Sequence, residues 1–278
     1  GGLHQSRRNQ GENKTKISAS VETDGSISII SCTQDDCGDP INTQTGVFSF
    51  TLADMSVPTS AGELIFQRSY STGALEHAGA MGYGWTHNHE ARLIFPDDLG
   101  GMEDRVLFQS VLGNQYDFKI EEDGSYTAGA GVIATLVKSA ETPITFTLVS
   151  SQQEKFIFDE NGRMTSRQDA QGNSITYEYD LQERLSGVSA NGGARYLQFG
   201  YDATDRIITV SDHALRQVSF GYDGLGNLAS ATDLLGQVWD YVYDSGHRMT
   251  VVRDPDDVAT VTTDYDMQGR AYRQFDGE

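Results

Sequence analysis

An aromatic residue followed by Asp recurs at nearly constant spacing through the second half of the chain. The pairs are Phe158-Asp159, Tyr179-Asp180, Tyr201-Asp202, Tyr222-Asp223, Tyr243-Asp244 and Tyr265-Asp266, separated by 21, 22, 21, 21 and 22 residues. A basic or amide residue stands four after each Asp: Arg163, Arg184, Arg206, Asn227, Arg248 and Arg270. A second Asp stands ten after the first at Asp169, Asp212, Asp233, Asp254 and Asp276, with Ala190 the exception. Three columns in one register mean a tandem array, whose units stack on their neighbours because none can bury its apolar face alone.

The local chemistry of one unit follows from its turn residues. Asp159-Glu160-Asn161-Gly162 and Asp223-Gly224-Leu225-Gly226 read as type I turns. The leading Asp accepts hydrogen bonds from backbone amides further on, and the fourth-position Gly takes positive φ. Such a turn closes a bulged β-hairpin. The second Asp opens a like turn, as in Asp169-Ala170-Gln171-Gly172 and Asp233-Leu234-Leu235-Gly236. Each unit is therefore two short strands and two turns. The strand entering each anchor carries aromatics two apart, such as Tyr177/Tyr179 and Phe199/Tyr201, which places them on one face. Successive units are expected to stack these rings into a ladder, as core and not as a ligand platform.

The unit resembles the YD repeat of Rhs proteins. The fullest copy runs Phe158-Asp159-Glu160-Asn161-Gly162-Arg163, Asp169-Ala170-Gln171-Gly172-Asn173, Tyr177-Glu178-Tyr179-Asp180. Upstream, Gly38-Asp39-Pro40-Ile41-Asn42-Thr43-Gln44-Thr45-Gly46, Gln67-Arg68-Ser69-Tyr70-Ser71 and Gly82-Tyr83-Gly84-Trp85 are similar to the N-terminal Rhs-associated domain. The resemblance covers about residues 38 to 278. Relatives include polymorphic toxins, wall-associated toxins, the C component of Tc toxins and the teneurins. It implies a secreted or cell-surface β-shell that encloses a C-terminal cargo or displays a surface. The family's C-terminal core motif with its autoproteolytic aspartates is missing, and Phe275-Asp276-Gly277-Glu278 stops in mid-repeat. The expected partner is thus the downstream remainder of a larger Rhs protein, or another copy joined through open strand edges.

The expected architecture is all-β in three parts. Residues 1–38 form a polar tail whose strand-like stretch Val21 to Ile30 is a candidate donor strand. Residues 39–155 form a β-rich module, and residues 156–278 a curled antiparallel sheet of repeat hairpins. A propeller is the alternative, two units making one blade.

Composition narrows the function classes. Lys+Arg 20 against Asp+Glu 40 gives a net charge of −20, which repels phosphate backbones and argues against nucleic acid. No apolar run approaches the roughly 20 residues of a membrane helix. Cys32 and Cys37 form a small disulfide loop in an oxidising compartment or remain two thiols. His87-Asn88-His89 puts two imidazoles on one strand face as a weak metal candidate, with Glu90 pointing away. The acidic clusters Asp35-Asp36-Asp39, Glu121-Glu122-Asp123 and Asp254-Asp256-Asp257 lack calcium-loop spacing. The repeat aspartates sit at turn offsets, so neither catalysis nor a cofactor is expected. Three roles fit: an encapsulating or displaying scaffold, a structural or adhesive protein polymerising by strand addition, and a carbohydrate-binding surface built on exposed Tyr and Trp rings.

Overall fold

The structure, a computed structural model, describes the backbone at 15–21 and 27–33, and residues 47–276 apart from 61, 77, 99, 101–103, 111–113 and 191. Among the described residues every extended element is a strand, and the two helical elements are single 3₁₀ turns. Strands β1 (Thr15–Val21) and β2 (Ile27–Thr33) pair antiparallel with each other; of the candidate donor strand, Val21 lies on the first and residues 27–30 on the second, and residues 22–26 fall outside the described residues. Cys32 lies on β2, but the side chain of Cys32 and the whole of Cys37 fall outside the described residues, as do Asp35, Asp36 and Asp39.

Among the described residues the upstream module holds three small sheets. β3 (Ser49–Thr59), β4 (Gly62–Ser71) and β7 (Trp85–His87) form one, in that order. β5 (Ala78–Gly79) and β6 (Gly82–Tyr83) form a short hairpin. β8 (Arg92–Ile94), β9 (Arg105–Gln109), β10 (Gln115–Ile120) and β11 (Tyr126–Ala128) form a four-stranded meander.

All of the repeats lie in one 14-stranded antiparallel sheet that runs in simple chain order from β12 (Ala134–Lys138) to β25 (Ala271–Asp276). The sheet starts before the first repeat, with β12 and β13 (Phe146–Ser150). It does not close: β12 and β25 each have one partner, so two edges are open. One continuous sheet is the shell geometry and not the radial blades of a propeller.

The turns are built as the Asp columns require, with one difference. At Asp159 the amide of Gly162 donates to the Asp159 carbonyl (3.0 Å), and the amide of Asp159 donates to the Arg163 carbonyl (2.9 Å). The same pair of bonds recurs at both ends of the hairpins. The ladder slips by one residue just before each anchor, as at Glu178/Tyr179 and Gly200/Tyr201, which is the bulge. Glycine was the expected fourth residue, yet Glu183, Asp205, Leu215, His247 and Asp257 occupy that place with φ between 62° and 65°. Such a backbone costs a non-glycine residue roughly 1–2 kcal/mol. Several of these residues have contacts with the preceding unit that offset the cost.

The module covers one face of the sheet. Phe108 packs on Phe156 and Phe158, Phe66 on Phe199 and Phe220, and Trp85 on Tyr241, at ring separations of 5.4–6.0 Å. A single apolar core results, from Phe48 to Ala271. The expected ring ladder is not what forms. Equivalent rings of successive units are two strands apart, about 9.5 Å, beyond the ~4.5–7 Å of ring contact. The rings contact the module instead.

Candidate functional site

Each anchor Asp uses its carboxylate to lock its own turn. In Asp202, Oδ1 accepts from the amides of Thr204 (2.8 Å) and Arg206 (3.0 Å), and Oδ2 accepts from Arg206 Nε (2.8 Å). Asp159/Arg163, Asp180/Arg184, Asp244/Arg248 and Asp266/Arg270 repeat this, and Asp223 uses the Asn227 amide. The second Asp column does the same at Asp169/Asn173 and Asp212/Arg216. The basic-or-amide column is thus the side-chain half of the clamp.

The anchor tyrosine belongs to the next link. Tyr179 donates its hydroxyl to the Met164 carbonyl (2.9 Å), Tyr201 to Leu185 (2.7 Å), Tyr222 to Ile207 (2.6 Å), Tyr243 to Leu228 (2.8 Å) and Tyr265 to Met249 (2.7 Å). The acceptor is always the residue just after the clamp residue of the preceding unit. That unit's arginine lies over the ring: Arg163 over Tyr179 (5.3 Å), Arg184 over Tyr201 (4.6 Å), Arg206 over Tyr222 (4.4 Å) and Arg248 over Tyr265 (5.3 Å). The clamp residue also reaches the left-handed residue of the next turn, as Arg184 to Asp205 (2.8 Å), Arg163 to Glu183 (3.4 Å) and Asn227 to His247 (2.7 Å). Turn and stacking are therefore one hydrogen-bonded chain along the hairpin ends.

Burial opposes ionisation of Asp202, but the Arg206 amide, the Arg206 guanidinium and Thr204 hold its carboxyl well below the usual range. Asp180, Asp212, Asp223 and Asp244 are lowered by the same balance. A carboxyl lowered in the folded state stabilises above its unfolded value near 4 and loses that contribution as pH falls through the folded value. Denaturation midpoints are therefore expected to drop steeply between about pH 4 and pH 2. Asp202→Ala is expected to cost about 1–2 kcal/mol, as for a lost capping carboxylate, and to flatten that acid limb in urea titrations. An unchanged midpoint would show the clamp to be energetically idle.

Sequence reasoning did not single out the charged centre of the core. Arg68, 1% exposed, lies under the sheet. It gives Asp54 two hydrogen bonds (2.7 and 3.0 Å) and Tyr241 one (2.8 Å), with Trp85, Tyr241 and Phe220 around it at 4.7–5.5 Å. The signal was present: Leu64, Phe66, Arg68 and Tyr70 alternate along β4, so the Arg occupies an inward position. Tyr70 fixes the far end, donating to the His247 carbonyl and accepting from the Met249 amide, both at 2.8 Å.

His87 and His89 are both buried. His89 Nε2 donates to the Ile65 carbonyl (2.8 Å), and the His89 amide donates to His87 Nδ1 (3.3 Å). That bond assigns the His87 proton to Nε2, 3.4 Å from Glu90 Oε2. Glu90 does not point away as strand alternation implied, because β7 ends at His87 and residues 88–89 turn. Among the described residues no three His, Cys, Asp or Glu gather as a metal-binding group.

Of the Tyr and Trp rings, from which a carbohydrate surface would be built, Tyr70, Trp85, Tyr116, Tyr177 and Tyr241 lie in the core, while Tyr272 is exposed. A cleft of about 440 Å³ is lined by Pro58, Thr59, Ser60, Ala190, Ala194 and Arg195. None of the anchor aspartates reaches it; their oxygens face their own turns.

Residues 158–195, 201–236 and 222–259 match the family model described as RHS Repeat. Residues 38–118 match one described as Domain of unknown function (DUF6531). Among solved structures, that of TcdB2-TccC3-TEV is similar over 83% of this chain and 15% of its own, at 12% identity and a TM-score of 0.35. That of TcdB2-TccC3-Cdc42 is similar over 82% of this chain and 12% of its own, at 17% identity and 0.34. TcdB2-TccC3 without its hypervariable C-terminal region covers 94% of this chain and 18% of its own, at 9% identity and 0.29. The chain thus spans less than a fifth of each of these three structures. No curated protein matches it.

Proposed function

Because this chain belongs to the Rhs/YD-repeat family, we propose that it is a non-catalytic scaffold segment of a secreted protein that encapsulates or displays a toxin or effector. The observation that carries this is the use of the carboxylates. Both oxygens of most anchor aspartates are consumed by their own turn and clamp residue, so the most abundant potential reagents act as geometry. The inner face of these units is occupied by the upstream module, so this stretch forms a plugged end.

The test uses the polypeptide as its natural open reading frame encodes it. Limited proteolysis is expected to leave a segment downstream of residue 278 shielded until the sheet is denatured. A reading frame with no downstream repeats or cargo, or a segment cut equally fast before and after denaturation, overturns the proposal. The open edges also favour a second reading, strand addition between copies. Val137 near one edge and Tyr272 and Phe275 at the other are exposed, and bare edges recruit strands. Regular fibres of the native material in electron microscopy would favour it; monomers at high concentration would remove it.

A further inference from the structure

We propose that His87, His89 and Glu90 form an acid-sensitive latch between the module and the repeat sheet, closed at neutral pH and released on acidification. The geometry places both imidazoles in the interface. His87 lies against Phe66 of β4 (5.8 Å) and Phe199 of the repeat strand β18 (Arg195–Tyr201; 5.9 Å). His89 lies against Phe199 (6.4 Å) and Tyr177 of β16 (Ser174–Tyr179; 5.8 Å). The two rings are 6.4 Å apart. His89 Nδ1 is buried with no hydrogen-bond partner, so a proton placed there has no acceptor.

The surrounding charges do not compensate a second cation. Arg68 faces His87 across the β4–β7 ladder, already paired with Asp54. Arg167, paired with Glu154 at 2.6 Å, bears on His89 from the repeat side, and Arg92 bears on Glu90. Tyr177 and Tyr201 are the remaining titratable groups facing the cluster, and burial pushes both further from ionisation. Burial raises Glu90 to about 8, so it already carries its proton at neutral pH and has no negative charge to offer.

Burial, with His89 nearby, lowers His87 to about 3; burial, with Arg167 nearby, lowers His89 to about 4. A histidine lowered in the closed state takes up its proton on opening. The contribution of the two imidazoles is complete above the free value near 6.5 and falls as pH drops below it, while Glu90, raised in the closed state, releases its proton on opening and cancels about one of the two protons taken up, so the net loss sets in below about pH 6. This separates the latch from the Asp clamps, whose acid loss begins only near pH 4. The inference deepens the scaffold reading, giving it a trigger, but its test needs no cargo.

Hydrogen exchange of the full chain, corrected for the intrinsic pH dependence, is followed from pH 7.5 to 4.5. Below about pH 6, protection of 64–70, 85–90 and 197–201 is expected to fall by up to about tenfold per pH unit, the net of the protons taken up by the imidazoles and the one released by Glu90. His87→Phe with His89→Gln, the amide retaining a donor for Ile65, is expected to abolish that fall, its protection holding or rising with acid because the Glu90 proton remains. Equal slopes in both proteins overturn the latch. Should the double variant not fold, imidazole titration by NMR in the wild type decides. Rings that stay neutral in the closed state below pH 5.5 while protection of the segments falls support it; protection unchanged across the range, or rings that titrate near 6.5 in the closed state, overturn it.

Discussion

Asp54→Ala is expected to lower the unfolding free energy by about 3–5 kcal/mol, because it strands a buried cation. Arg68 remains protonated in the core: burial works against its charge, but Asp54 and Tyr241 more than restore it. Its Nη1 has no partner, so the guanidinium has no reserve when Asp54 is removed. Only the Tyr241 hydroxyl would then face it at hydrogen-bond distance. Tyr241 is a repeat residue, so the loss loosens the module from the sheet as well as the module itself. Arg68→Met combined with Asp54→Ala is expected to recover much of the deficit, since an apolar replacement of a whole buried pair is often neutral or better. Urea denaturation of the two proteins measures both effects. A loss below about 1 kcal/mol for Asp54→Ala would place the pair among solvated ion pairs, against the burial described above.

Gly162→Ala is expected to cost about 3–5 kcal/mol, combining left-handed strain with overpacking against backbone. Its φ is +80°, and an added Cβ would stand 2.2 Å from the Leu93 carbonyl oxygen and 3.2 Å from the Phe95 ring. That contact exists because β8 docks on this turn, the Leu93 amide donating to the Gly162 carbonyl at 2.9 Å. Gly172 makes the control. It holds the same position in the other turn of the same unit, with φ +89° and open space around the missing Cβ. Gly172→Ala is therefore expected to cost only about 1–2 kcal/mol, the conformational part alone. Calorimetric midpoints should rank wild type, Gly172→Ala and Gly162→Ala in that order. Equal midpoints for the two variants would mean that β8 yields and that the module is not held through this turn.

Much of the fold was legible because hairpin turns are local. The Asp, the fourth residue and the clamp residue lie within five positions, so their spacing alone implied the turn, the bulge and the strand between. What spacing implied less well was the identity of the fourth residue. His247 and Asp205 take the left-handed backbone that the turn imposes, as Leu215 and Asp257 do, and Asn227 and Arg184 of the preceding units reach them there, a neighbour that no rule of local propensity contains. The upstream motifs were legible as patterns only, since nothing in Gln67-Arg68 or His87-Asn88-His89 states what lies opposite.

By itself, then, the sequence determined a linear array: turns locked by their own aspartates, strands of fixed length and face, and tyrosines held in register, all set by contacts within one or two units. The tertiary structure decided what the inward face meets. Rings two strands apart cannot touch one another, so they close on whatever fills the concavity, here a module carrying one buried arginine and two neutral histidines. Those groups are distant in the chain, and their protonation follows from the depth of burial, which exists only once the sheet has closed over the module.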